Sequence, residues 1–227
     1  TNAIDAIAEV NAVLDGLAVN FPEDVEYVLP YDSTEYVNIA IREIVSTLSI
    51  TFLLVIIVCY IFLQDWRATL IPALTIPVSL FGTFAFLSLL GYSINTLTLF
   101  ALILAIGLVV DDAIVVVENV LRIMEEEKLG HKAATKKAME QVSGAVIATT
   151  LVLLAIFIPV GFIPGITGKI YQQFAVTISI AVLISTVNAL TLSPALCATI
   201  LYVSKPKKRG PLAWFNTGLN TCRNVYV

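Results

Sequence analysis

LTLFALILAIGLVVDDAIVVVENVLRIM, running from Leu97 to Met124, places two adjacent acids, Asp111 and Asp112, in a stretch whose outer part is apolar for several turns. A hydrocarbon core about 30 Å thick needs roughly 20 helical residues at a rise of about 1.5 Å each. A span counted from Thr96 runs past Val117, so the acidic pair falls near the bilayer midplane. Each carboxylate there costs about 2.5 to 3.5 kcal/mol on insertion scales, which marks the pair as functional.

Working outward, the same arithmetic yields four more crossings. Ile44 to Leu63 lies between Glu43 and Asp65 with no charge inside it. From Ala68 to Val110 the chain is again uncharged, too long for one crossing, and the turn formers of GYSIN at Gly91 to Asn95 divide it. The second span is therefore expected from Thr69 to Leu90, with Pro72 near its first turn and Pro77 as a kink, and the third from Thr96 to about Val120. Val142 to Phe162 and Phe174 to Val203 complete an all-α polytopic bundle of five transmembrane helices over residues 44–203.

Composition agrees with that class. Hydrophobic residues make up 58% and charged residues 13%, with a mean hydropathy of +0.91, far from the averages of soluble domains. A net charge of -4 offers no basic face for nucleic acid. Cys59, Cys197 and Cys222 lie far apart, and with a lone His131 they make neither a disulfide framework nor a zinc set. The cysteines are read as small packing residues. In GFIPGITGKI the pair Gly168-Lys169 superficially suggests a phosphate loop, but Ile163 stands where that loop needs glycine and Ile170 where it needs Ser or Thr.

Lys and Arg collect on one side of the five spans: Arg67, then Arg122, Lys128, Lys132, Lys136 and Lys137, then Lys205, Lys207, Lys208 and Arg209. That side is expected to be cytoplasmic, leaving only Arg42 and Lys169 opposite. Before the first span, Ile4, Ile7, Val10, Leu14 and Leu17 recur at helical spacing and VEYVLPY, Val25 to Tyr31, reads as a strand. A lone helix and strand cannot stand by themselves, so residues 1–43 are expected to close a larger domain outside the cytoplasm, and the chain to be an excerpt. After the last span KPKKRGP is a basic stop, and Leu212, Trp214, Phe215 and Leu219 suggest an interfacial helix within residues 204–227.

Adjacent helical residues point about 100° apart, so Asp111 and Asp112 cannot share one set of contacts. Two close carboxyls in a poorly solvated site titrate as a coupled unit and hold a proton for part of the time, as a proton carrier must. The competing role is a structural anchor paired to a cation; the other four spans contain no cation, so either role needs a positive residue from outside this stretch. Glu118 either extends the relay or marks the water-facing end of the span. Asn95, Thr96 and Thr98 either line a wet path or cap the helix, capping being the simpler role. Gly107 lies one turn before Asp111, and Ala101 with Ala105 makes a small face for close helix approach. Glu125 to Glu127, with the lysines that follow, read as a solvated loop helix.

LAIGLVVDDAIVVVENV, preceded by GYSINTLTLFAL and followed by RIMEEEKLGHKAATKKAM, closely resembles the fourth transmembrane helix and following loop of resistance-nodulation-division (RND) exporters, in the hydrophobe/amphiphile efflux branch of AcrB-like multidrug pumps. FLQDWRATLIPALTIPVSLFGTFA, TGKIYQQFAVTISIA and LTLSPALCATIL resemble the same branch. The resemblance implies that the five spans are helices two to six of twelve and that the N-terminal tail is a helix-strand remnant of a periplasmic α/β porter domain. It further implies that Asp111 and Asp112 are the proton-relay aspartates of a proton/drug antiporter in the bacterial inner membrane, coupled to protons without a cofactor. Related metal exporters have a single Asp followed by Ala, so Asp112 points to the drug-exporting branch. The implied partners are a lysine in the missing second half, a homotrimer, a periplasmic adaptor and outer-membrane channel, and hydrophobic or amphiphilic small molecules. A five-helix membrane sensor akin to sterol-sensing domains and a plain membrane anchor are the alternatives.

Overall fold

The computed structural model describes residues 3–22, 33–92 and 95–202. Every regular element among them is a helix: α1 (Ala3–Ala18), α2 (Ser33–Leu63), α3 (Trp66–Leu89), α4 (Thr96–Glu126), α5 (His131–Val160), α6 (Gly165–Leu190) and α7 (Leu192–Ile200). The strand expected at Val25–Tyr31 and the segment 204–227 lie outside the described residues, as does Val203 at the end of the fifth span. Five helical stretches are long and apolar enough to cross a membrane: Asn38–Leu63, Trp66–Leu89, Thr96–Glu126, His131–Val160 and Gly165–Ile200. Their number is that expected from the uncharged runs, but most extend beyond them. Absence of charge delimits the lipid-exposed part, whereas backbone hydrogen bonding continues into water, where Arg122 pairs with Glu126 at 2.9 Å and Lys137 with Glu127 at 2.6 Å.

The chain divides into two compact units, Thr1–Thr47 and Leu48–Val227. In the first, α1 leaves Val10, Val13 and Leu17 exposed, so part of its apolar stripe is uncovered within the unit. The second unit holds the bundle. Cys59 on its part of α2 packs with Ile76 of α3 and with Ile106 and Val110 of α4. Towards the basic end, Ala68 and Ile71 of α3, Val116, Val120 and Ile123 of α4, Ala134 and Ala138 of α5 and Cys197 of α7 form one core. Towards the other end, Ala101 packs on Ile178 and Val182 of α6. All three clusters include α4, which is thereby the central helix. Hydrocarbon tails are as apolar as leucine, so small residues and close packing hold such helices together. Ala101 and Ala105, both fully buried, do so here.

Helix ends follow local chemistry. The Asp65 carboxylate accepts the Arg67 amide at 2.8 Å and starts α3 at Trp66, earlier than expected. Pro72 consequently lies past the first turn, and α3 continues as one helix through both Pro72 and Pro77. Asn95 caps α4, accepting from the Leu97 and Thr98 amides at 3.0 Å each, while the Thr98 hydroxyl accepts the Asn95 amide at 2.9 Å. The Asn95 side-chain Nδ2 donates to Gln173 Oε1 of α6 at 2.7 Å. The fifth span is broken at Thr191, whose φ of -122° and ψ of -65° separate α6 from α7. Pro194 accounts for the break, since it lacks an N–H and its ring crowds the carbonyl four residues back, that of Leu190.

Gly168 has a structural explanation. A Cβ there would lie 1.8 Å from the Ile163 carbonyl oxygen, so the turn before α6 closes over a position that only glycine fits. The Gly-Lys pair is thereby accounted for by backbone packing, without any phosphate.

Candidate functional site

Asp111 and Asp112 occupy the middle of α4 and face different surroundings. Asp112 is half-buried against α6, where the Ser185 hydroxyl lies 3.0 Å from its Oδ2. The same hydroxyl is 3.2 Å from the Val109 carbonyl oxygen, and Ser185 is only 3% exposed. A serine hydroxyl carries one proton and can also accept. It therefore donates either to the ionised carboxylate or to the Val109 carbonyl, and in the second case its oxygen is free to accept a hydrogen bond from the O–H of a neutral Asp112. The site thus accommodates both protonation states of one carboxyl without an unsatisfied partner.

Asp111 points elsewhere. Phe100, Leu104, Gly107, Asp111, Val115, Glu118 and Arg122 follow one another at three- and four-residue spacing, and all are exposed. They form one continuous stripe along α4, uncovered by the described residues. Gly107 belongs to this stripe, not to the buried Ala101/Ala105 face, and a Cβ on it would meet nothing within 4 Å. Asp111 adjoins Asp112 along the helix, and Cys59 of α2 packs on Val110, the residue before it. Among the described residues, neither aspartate has a salt-bridge partner, and both ion pairs lie near the basic end. The expectation that the two acids make separate contacts therefore agrees with their geometry.

Glu118 lies on the same stripe, two turns beyond Asp111. Next to it, Asn119 and Arg122 of α4 and Gln141 of α5 form a polar clasp: Arg122 donates to Asn119 at 2.6 Å and to Gln141 at 3.1 Å, and Asn119 donates to Gln141 at 3.2 Å. Asn95 and Thr98 act as helix caps. Cys59 and Cys197 are packed in apolar clusters, while Cys222 lies outside the described residues. Arg67 sits over the Tyr202 ring at 5.0 Å, and the His131 ring is 5.5 Å from it, which draws the basic starts of α3 and α5 together with the end of α7.

Ser185 was not singled out in the sequence, and neither were its neighbours. Thr186 shares a hydrogen bond with Thr150 of α5 at 2.6 Å, and Asn188 donates to Ser79 of α3 at 2.8 Å. The available signal was the cluster of polar side chains in ISTVNALTLSP, inside an uncharged span.

The profile of the AcrB/AcrD/AcrF family matches residues 1–227, the whole chain. This chain belongs to the AcrB/AcrD/AcrF family. It is 50% identical over 233 residues to the multidrug export protein AcrF of Escherichia coli K12, covering 100% of this chain and 22% of AcrF. It is 47% identical over 214 residues to the multidrug resistance protein MdtF of the same organism, covering 94% and 21%. It is also 47% identical over 233 residues to the toluene efflux pump membrane transporter TtgB of Pseudomonas putida DOT-T1E, covering 99% and 22%. The chain thus spans about a fifth of the length of these relatives. AcrB/AcrD/AcrF proteins are RND transporters rather than enzymes, and the chain is a multi-pass segment of a bacterial inner-membrane protein.

Proposed function

We propose that Asp111 and Asp112 bind and release the proton whose flow drives export, and that this chain is the relay half-bundle of a proton/drug antiporter for hydrophobic or amphiphilic molecules. One observation carries the reading: Asp112 is held by Ser185 in a setting that suits either protonation state, while Asp111 stands on an uncovered stripe of α4. Gly107 supports it. A glycine inside a helix costs about 0.8 to 1.0 kcal/mol relative to alanine, and nothing among the described residues requires one there. An open glycine one turn from an unpaired carboxylate suits a closely approaching helix that brings a cation. The second half of the same polypeptide supplies that helix and its lysine.

Protonation weakens the attraction between the aspartates and that lysine, and release restores it. Two arrangements of the half-bundles then differ in free energy according to the proton, which is what alternating access requires. Within the same proposal, residues 1–43 end the periplasmic porter domain, residues 44–203 form the membrane bundle, and residues 204–227 run on the cytoplasmic side with the basic end. The working assembly is a homotrimer joined to a periplasmic adaptor and an outer-membrane channel. Glu118, on the Asp111 stripe, marks the water-facing end of the span toward the cytoplasm.

The test is Asp111→Asn and Asp112→Asn in the full-length protein, scored for proton-dependent export at normal expression. Each substitution is expected to abolish export. Unchanged export removes the relay and leaves a membrane anchor.

A further inference from the structure

α6 carries three polar side chains within four residues, and each reaches a different neighbour. Ser185 bonds Asp112 on α4 at 3.0 Å, Thr186 shares a bond with Thr150 on α5 at 2.6 Å, and Asn188 donates to Ser79 on α3 at 2.8 Å. At about 100° per residue, these side chains fan across roughly half the helix circumference. The α3 contact is also sterically close. One turn from Ser79, a Cβ on Gly82 would sit 3.1 Å from Ile184 Cγ2, so α3 approaches α6 closely at that point. Ser79 is 1% exposed, in a seam where two valines would also pack. An amide-hydroxyl pair in such a place adds direction, because it is satisfied at only one rotation and one height of α6 against α3.

We infer that Asn188 is a positioning residue for the proton site: its bond to Ser79 sets the rotation of α6, and so decides whether the Ser185 hydroxyl reaches Asp112. This rests on the proton-relay reading of Asp112. A hydroxyl bond at 3.0 Å weakens steeply over about half an ångström of added length, so a small rotation of α6 is enough to release it. Thr186 and Thr150 hold the opposite flank of α6, leaving Asn188 to fix the α3 side. Other groups near Asp112 do not obscure the effect. Asp111 adjoins it on α4 and the buried Cys59 of α2 packs on Val110, whereas the nearest charged side chains of α3, α5 and α6 are Arg67, Glu140 and Lys169, remote from the middle of each helix.

The experiment is infrared titration of the protonated carboxyl band in the purified full-length transporter, with the Asp112 component identified by its loss in Asp112→Asn. Asn188→Val, which keeps bulk and removes the amide, is expected to displace the Asp112 midpoint by about half a pH unit, in the same direction as Ser185→Ala. Ser79→Ala is expected to do the same, and the pair Ser79→Ala with Asn188→Val to move it no further than either alone. A midpoint that moves in Ser185→Ala but stays at the wild-type value in both Asn188→Val and Ser79→Ala overturns the positioning role and leaves the relay standing. Wild-type export by Asp112→Asn overturns the relay instead.

Discussion

The Ser185 hydroxyl on α6 stands 3.0 Å from Asp112 Oδ2 on α4 and joins the two helices at the proposed proton site. Its second acceptor, the Val109 carbonyl at 3.2 Å, makes the bond reversible in direction without any movement of the backbone. Replacing Ser185 by alanine removes that exchange and leaves Asp112 without its donor. An interhelical bond of this kind is worth about 1 kcal/mol, so proton-driven export by the full-length protein is expected to fall about fivefold in Ser185→Ala. Dye-efflux rates at matched expression check this.

Gly168 and Gly107 are expected to respond differently in folding assays. A methyl at Gly168 meets the Ile163 carbonyl at 1.8 Å, so Gly168→Ala must distort the turn before α6 and destabilise the protein by about 1 to 3 kcal/mol. Thermal unfolding in detergent reads this as a lowered midpoint.

A Cβ at Gly107 meets nothing within 4 Å among the described residues. Gly107→Leu in an isolated bundle segment should leave helix content unchanged by circular dichroism, while the same substitution in the full-length protein should abolish export by blocking a helix that packs beside Asp111. Export at the wild-type level by Gly107→Leu contradicts a docked helix on this stripe.

Asn95 ties two elements at once, capping α4 and donating to Gln173 of α6. Its replacement by alanine is expected to cost about 1 kcal/mol from the cap alone, with a further loss from the interhelical bond. Hydrogen exchange of the Leu97 and Thr98 amides should rise first, since these are the groups the cap satisfies.

Much of this fold is legible from charge alone. A bilayer imposes a length on any uncharged helix, so the runs bounded by Glu43, Asp65, Arg67, Asp111, Glu140 and Lys169, with the GYSIN turn dividing the second, give five crossings. The acidic pair is legible for the same reason, because a carboxylate in mid-span is conspicuous. The Asn95 cap is readable as well, as a local pattern of one side chain and the next turn's amides. The helix starts at Trp66 and Gly165 are less legible, since they depend on one Asp65 side chain and on the turn that closes over Gly168. Least legible are Ser185, Thr186 and Asn188. Their importance comes from which helix each one faces, and a run of small polar residues in a span has no period that reveals its neighbours.

The most direct measurement is infrared difference spectroscopy of carboxyl bands in the full-length transporter turning over under an imposed proton gradient. A carboxyl band that rises and falls with the cycle, and disappears in Asp111→Asn and Asp112→Asn, is the predicted result. Both side chains remaining ionised while export proceeds would contradict it.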